Sequence, residues 1–132
     1  MSLTNYYEAK VLNHINGVAV LTPEAHLHFG LSTSTPAEDG TNITEPTGNN
    51  YARVQKTNSS ALWGAASGGA ADNIDAVTFP QASGNWGTCT HLVAWDADET
   101  HPIWFAPLSV QKTVSDGDTL SFAAGDIDET LD

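Results

Sequence analysis

At 132 residues the chain is sized for one domain, long enough to bury roughly two-thirds of its unfolded surface without disulfide staples. Sixteen acidic residues against four basic ones give a formal charge of −12, which argues against nucleic acid or an anionic membrane as the main partner. Only 15% of residues are charged and 40% are hydrophobic, the balance of a globular chain rather than a disordered one.

The N-terminus lacks the basic and apolar zones of a signal peptide, and no run of about 18 apolar residues follows, so synthesis in the cytoplasm without a membrane span is expected. Leu3 to Ile15 carries the one good helical period, with Leu3, Tyr6, Tyr7, Val11, Leu12 and Ile15 on a broad apolar face. Asn5 followed by Glu8 resembles a capping box, Thr4 is a second N-cap candidate, and Gly17 can supply the left-handed residue that stops the helix. Residues 1–17 are therefore read as an amphipathic helix for packing or assembly, and residues 18–132 as a single β-domain.

After a short apolar run from Val18 to Leu21, residues Ala25 to Leu31 alternate as a half-buried strand. Ser32 to Asn49 holds two Pro, two Gly and seven Ser/Thr, and Ile43 is its one strongly apolar residue: a surface loop. Tyr51 to Lys56 resumes alternation. Gly64 to Asn73 is small and glycine-rich and reads as a loop, and a strand is predicted over Ile74 to Phe79. Asn85 to Asp96 gives the longest strand signal, with apolar residues on both faces at Leu92, Val93 and Trp95, so it belongs in the middle of a sheet covered on both sides. Cys89 lies within it as a small buried residue. Asp96 to Thr100 is an acidic turn, followed by strands at Ile103–Leu108 and Val110–Val114. The Asp116-Gly117 pair predicts a hairpin flanked by Val114 and Leu120, and segments at Thr119–Ala123 and Ile127–Leu131 close the sheet. Eight or so short strands with one helix predict a mainly β fold, a jelly-roll-like antiparallel β-sandwich.

Chemistry is sparse in this pattern. His26 and His28, two apart on a strand, point to the same side and could share a metal ion, as a His-x-His pair does in cupins, but the next acid is Glu38, beyond a proline-containing loop. Asp96, Asp98 and Glu99 crowd a turn whose spacing does not match an EF-hand. A nucleophile elbow and a phosphate loop are both missing, and Cys89 sits mid-strand between two threonines. We assign no catalytic, cofactor-binding or metal residues and expect no cofactor. Trp86, Trp95 and Trp104 are expected to fill the sandwich, whereas Trp63 beside the glycine-rich loop is a contact candidate.

Several stretches taken together resemble a family of small tailed-phage virion proteins, commonly labelled tail fibre or structural proteins. They are His14-Ile15-x-Gly17, Phe29-Gly30-Leu31-Ser32-Thr33-Ser34-Thr35-Pro36, Asp39-Gly40-Thr41, Glu45-Pro46 and Tyr51-Ala52-Arg53-Val54. The likeness continues through Phe79-Pro80-x-Ala82-x-Gly84-x-Trp86-Gly87-Thr88-x-Thr90-His91 and ends at Gly117-Asp118-Thr119-Leu120-x-Phe122-x-Ala124-Gly125-Asp126. The resemblance implies a non-enzymatic, multimeric virion component. Compact size and the lack of a coiled-coil or β-helical shaft favour a capsid decoration or cement protein, a homotrimer clamping the major capsid protein at the head surface. A tail-fibre or head-fibre module that binds host glycans through Trp63 or Tyr51 is the alternative, and a cupin-like metal enzyme a remote one. On the decoration reading the helix (Tyr6, Tyr7, Val11, Leu12, Ile15) and the loop region (Pro36, Ile43, Pro46, Tyr51), with Trp63, form the candidate interface.

Overall fold

The computed structural model describes residues 1–131. Its elements, in chain order, are β1 (Ser2–Leu3), α1 (Asn5–Ile15), β2 (His26–Ser32), β3 (Val54–Thr57), β4 (Ala70–Asp72), β5 (Val77–Thr78), β6 (Gly87–Trp95), β7 (Pro102–Val114), β8 (Ser121–Phe122) and β9 (Asp128–Thr130). The fold is a mainly β antiparallel sandwich with a single helix, in agreement with the sequence pattern. One layer is a five-stranded sheet in the order β1-β7-β6-β2-β3; two ribbons, β4-β9 and β5-β8, supply the other wall of the core.

Alternation along β2 explains the layering. Leu27, Phe29 and Leu31 enter the core with Trp104, Leu92 and Ala94, and meet Val77, Phe79, Leu120 and Ile127 from the ribbon side. Their neighbours His28, Gly30 and Ser32 face the opposite way and are also buried, because the loop after β2 folds over them. Strand β6 lies in the middle of the sheet, and Leu92, Val93 and Ala94 are buried in succession, so both of its faces are covered. Cys89 is fully buried there, and burial pushes its thiol up to about 11.

Several local expectations are corrected. Ala70–Asp72, within the stretch read as a loop, is a strand because Thr130, Glu129 and Asp128 from the far end of the chain pair with it. The two segments after the acidic turn are one strand, β7, which bulges: Cys89 pairs with Lys112 and His91 with Pro107, so extra residues of β7 loop outward. The Asp116-Gly117 turn does not close a hairpin. Beyond it, Gly117 N–H donates to Ala82 O at 2.8 Å and Phe79 N–H to Leu120 O at 2.9 Å, so β8 pairs with β5 rather than with β7. Asn73 ties this lower layer together: its side chain donates to Asp75 O and Ala123 O and accepts from Gly125 N–H and Ile127 N–H. Fully buried and fully partnered, it is a polar clamp between segments about fifty residues apart in sequence.

Candidate assembly surface

Helix α1 is fixed at its start and free at its end. Leu3 pairs with Trp104 across β1 and β7, and Thr4, the N-cap, donates its hydroxyl to Pro102 O at 2.7 Å instead of capping the helix. The expected capping box is therefore absent; the hydroxyl anchors the helix to the sheet, and Asn5 N–H is satisfied by Glu38 O at 2.8 Å. Tyr7 is buried and its hydroxyl donates to Glu24 at 2.8 Å; burial, then the Glu24 carboxylate, raises the phenol well above its ordinary value. Gly17, at φ +70°, ends the helix as expected: Val18 N–H reaches Asn13 O and Gly17 N–H reaches His14 O, the paired bonds of a Schellman turn. Past Tyr7 the packing stops. Val11 is half-buried, but Leu12 is 57% exposed, Ile15 71%, Val18 72% and Val20 83%, forming an apolar tip. Tyr6 is also exposed, with one ring face stacked on His101 at 4.0 Å.

The loop from Ser32 to Asn49 behaves in the opposite manner. Ser32 Oγ donates to Ser34 O at 2.8 Å and accepts from the N–H groups of Ser34 and Thr44, while Thr33 N–H bonds Thr44 O, so the loop doubles back on its own base. Pro36 and Pro46 are buried beneath it and Ile43 is half-buried. Where the loop returns, Arg53 holds Glu45 with its Nε and Nη2, the latter at 2.7 Å, and its guanidinium lies 3.7 Å from the ring centre of Trp95. Glu99, at φ +58°, closes the group from the acidic turn, with one oxygen 2.7 Å from His28 Nδ1 and the other 3.5 Å from Arg53. Tyr51 donates to Glu45 at 2.7 Å and accepts from Leu31 N–H at 2.8 Å; burial raises its phenol. Gly30 makes this possible, since a Cβ there would meet Glu45 Oε1 at 2.6 Å. Trp95 thus lies on the loop face rather than in the sandwich, while Trp86 and Trp104 fill the core as expected. Pro36, Pro46 and Tyr51 are tucked into the chain itself and present little surface to a partner, and the same holds for Tyr7.

Residues 2–130 match the family model described as podophage GP4 fiber I protein gp80. The chain belongs to this family. Among curated proteins none matches the sequence. Membership in the fiber I family makes the chain a structural protein of the virion, as the phage-like motifs imply, and no helix among the described residues is long and apolar enough to cross a membrane.

Of the groups that suggested other chemistry, His28, His101, Asp96 and Glu99 are engaged in ion pairs or hydrogen bonds within the chain, whereas the buried His26 Nδ1 has no partner. His28 bonds Glu99, so the His26–His28 pair does not converge on a shared third group; among the described residues no three His, Cys, Asp or Glu side chains do. The acids of the turn diverge. Asp96 accepts from the N–H groups of Thr100 and His101 and from His101 Nδ1, while Glu99 turns to Arg53 and His28. Burial opposes ionisation of Asp96, but these hydrogen bonds more than offset it and hold its carboxyl below the usual range. Of the aromatic residues considered for sugar stacking, Tyr51 is half-buried with its hydroxyl engaged by Glu45 and Leu31 N–H. Trp63 is half-buried and lines an apolar groove of about 370 Å3 beside the helix, together with Leu3, Val11, Leu27 and Trp104. Val11 and the segment Leu21–Glu24, which flank the tip in sequence, line this groove. The apolar period of α1 points to Leu12 and Ile15 of the tip, for packing or assembly, but not to Val18 and Val20; the groove has no sequence signal beyond the helix face and Trp63, because its walls come from five separate stretches of chain.

Proposed function

We propose that this chain is a non-enzymatic, compact component of a virion fibre that associates with sister copies through the apolar end of α1. One observation carries the reading: the tip formed by Leu12, Ile15, Val18 and Val20 is exposed, and the chain from Val11 to Pro23 contains no Asp, Glu, Lys or Arg. In a molecule of net charge −12, an uncharged apolar tip is the surface on which copies meet with the least repulsion. Closed rotational symmetry, a trimer foremost, satisfies such a patch without leaving an open-ended polymer. The fibre placement draws on the family description, and the non-enzymatic reading on the engagement of His28 with Glu99 and of His101 with Asp96.

Capsid decoration is the second reading, favoured by one observation: the described residues form a sandwich with no coiled-coil or β-helical shaft. Cryo-electron microscopy of the virion separates the two. A few copies at each fibre are expected, and hundreds of copies spread over the head would replace the fibre reading with decoration by contacts to the major capsid protein.

A further inference from the structure

The groove beside α1 contains a carboxyl that no cation of the described residues pairs with. Glu129, on β9, stands opposite Ala71 in the β4-β9 ribbon, and both line the groove with Trp63 and Trp104. Burial raises the Glu129 carboxyl above its ordinary value, and the neighbouring Trp104 side chain offsets this only in part. Among the described residues the cationic side chains that form ion pairs are Lys10 with Glu24, Arg53 with Glu45 and Glu99, and Lys56 with Asp75, besides the histidines at Glu99 and Asp96; none reaches Glu129. The wall around it is apolar: Leu3, Leu27, Ile103 and Leu131 join the two tryptophans. A half-buried carboxyl in an apolar, aromatic groove matches a ligand with a long apolar stem and a cationic head, the chemistry of arginine or lysine. A volume of about 370 Å3 admits such a side chain together with an apolar neighbour.

We propose that the groove lined by Trp63, Trp104 and Glu129 seats a basic segment of a different virion protein, an arginine or lysine flanked by apolar residues. The inference rests on the reading of the chain as an assembling virion component, and it names the partner's chemistry. Charge selects a foreign partner over a second copy, since this chain has four basic residues, three of them already paired internally, against sixteen acidic ones. The tip and the groove then divide assembly between them: sister copies at the uncharged end, a basic partner at the charged one.

The probe is the capped tripeptide acetyl-Leu-Arg-Leu-amide, titrated into the full chain while the indole N–H resonances are followed by nuclear magnetic resonance. Saturable shifts of the Trp104 and Trp63 signals are expected, at least tenfold weaker for the isosteric norleucine peptide and absent for the glutamate peptide. Glu129→Gln should weaken the arginine peptide at least tenfold and leave the norleucine peptide unchanged. Ala71→Arg, which places the chain's own cation across from Glu129, should block the arginine peptide and serves also if Glu129→Gln fails to fold. Equal binding of the arginine and norleucine peptides, binding indifferent to both variants, or no shift at millimolar peptide would each overturn the proposal. Leu12→Asp/Ile15→Asp should bind the arginine peptide like the unmodified chain. Loss of self-association with peptide binding intact, or the reverse, therefore tells apart failure of the tip and failure of the groove.

Discussion

The polar loop after β2 and the apolar end of α1 both look like arms in the sequence, and the structure treats them oppositely. The loop has almost nothing apolar, yet it lies flat on the sheet, held by Ser32 Oγ beneath it and by Arg53 gripping Glu45 at its exit. The helix end is rich in Leu, Ile and Val, yet it projects. Polarity alone does not decide which segment is available to a partner. What matters is whether the segment's polar groups find partners inside the chain, and in the loop they do. Among the described residues nothing covers the helix end, since the contacts that anchor α1, at Thr4 and Tyr7, lie near its start.

The comparison breaks most severely if the loop is released. Arg53→Ala removes the cation that neutralises the half-buried Glu45 and the exposed Glu99 and uncovers Trp95, leaving Glu45 with only the Tyr51 hydroxyl and Glu99 with only His28. A loss of about 3 kcal/mol is expected, at the low end of the range for buried pairs because water still reaches this one. Denaturant titration of the purified chain measures it, and an unchanged midpoint would mean that the ion pair contributes nothing to holding the loop. Gly30→Ala tests the same contact from below. Its Cβ would fall 2.6 Å from Glu45 Oε1 and 3.2 Å from Tyr51 Oη, so the loop must lift or the strand must shift, at about 2 kcal/mol. Raised protease sensitivity confined to residues 33–50 would show that the loop is what gives way.

Asp96 offers a milder test at the neighbouring turn. Its folded carboxyl is held below the ordinary aspartate range, so the unfolded chain binds its proton first as the pH falls. The stabilisation is complete above the unfolded value of about 3.9 and is lost as the pH drops through the lower folded value. Asp96→Asn should cost about 1–2 kcal/mol at neutral pH, because the acceptor of the Thr100 and His101 N–H groups loses its charge and an amide replaces the oxygen that meets the Thr100 hydroxyl and His101 Nδ1, and should flatten the acid limb of the stability curve. An acid limb of the same slope in the variant would assign that dependence to other carboxyls.

These residues also mark how far sequence reading carries. The helix stop at Gly17 and the two-faced burial of β6 are legible from neighbours within a few positions, whereas β2, which alternation marks as half-buried, is buried on both faces because the distant part of the loop folds over it. Strand β4 is not legible: Ala70, Ala71 and Asp72 have no strand propensity and become a strand because Asp128–Thr130 arrives beside them. The Asp-Gly turn at 116–117 was read correctly as a turn, but which strand β8 would join depended on Ala82 and Phe79, more than thirty residues upstream. Arg53, Glu45 and Glu99 carried no motif; only folding brings the three together over Trp95. The periodicity of α1 groups the exposed Leu12 and Ile15 with the buried Tyr7, since period alone cannot tell which part of an apolar face the domain keeps for itself.

The smallest effect on stability is expected where the effect on assembly is largest. Leu12→Asp/Ile15→Asp exchanges two exposed apolar side chains for charges on a helix whose anchors lie at Thr4 and Tyr7, so the monomer should change by no more than about 0.5 kcal/mol. Sedimentation velocity should find the unmodified chain associated at high micromolar concentration and the variant monomeric, since each new acid adds to an excess of acidic over basic residues. A large loss of stability would place the tip in the fold after all, and unchanged association would move the contact between copies elsewhere. The release of assembly without release of structure is the property that separates this end of the molecule from the loop, where stability and surface cannot be altered independently.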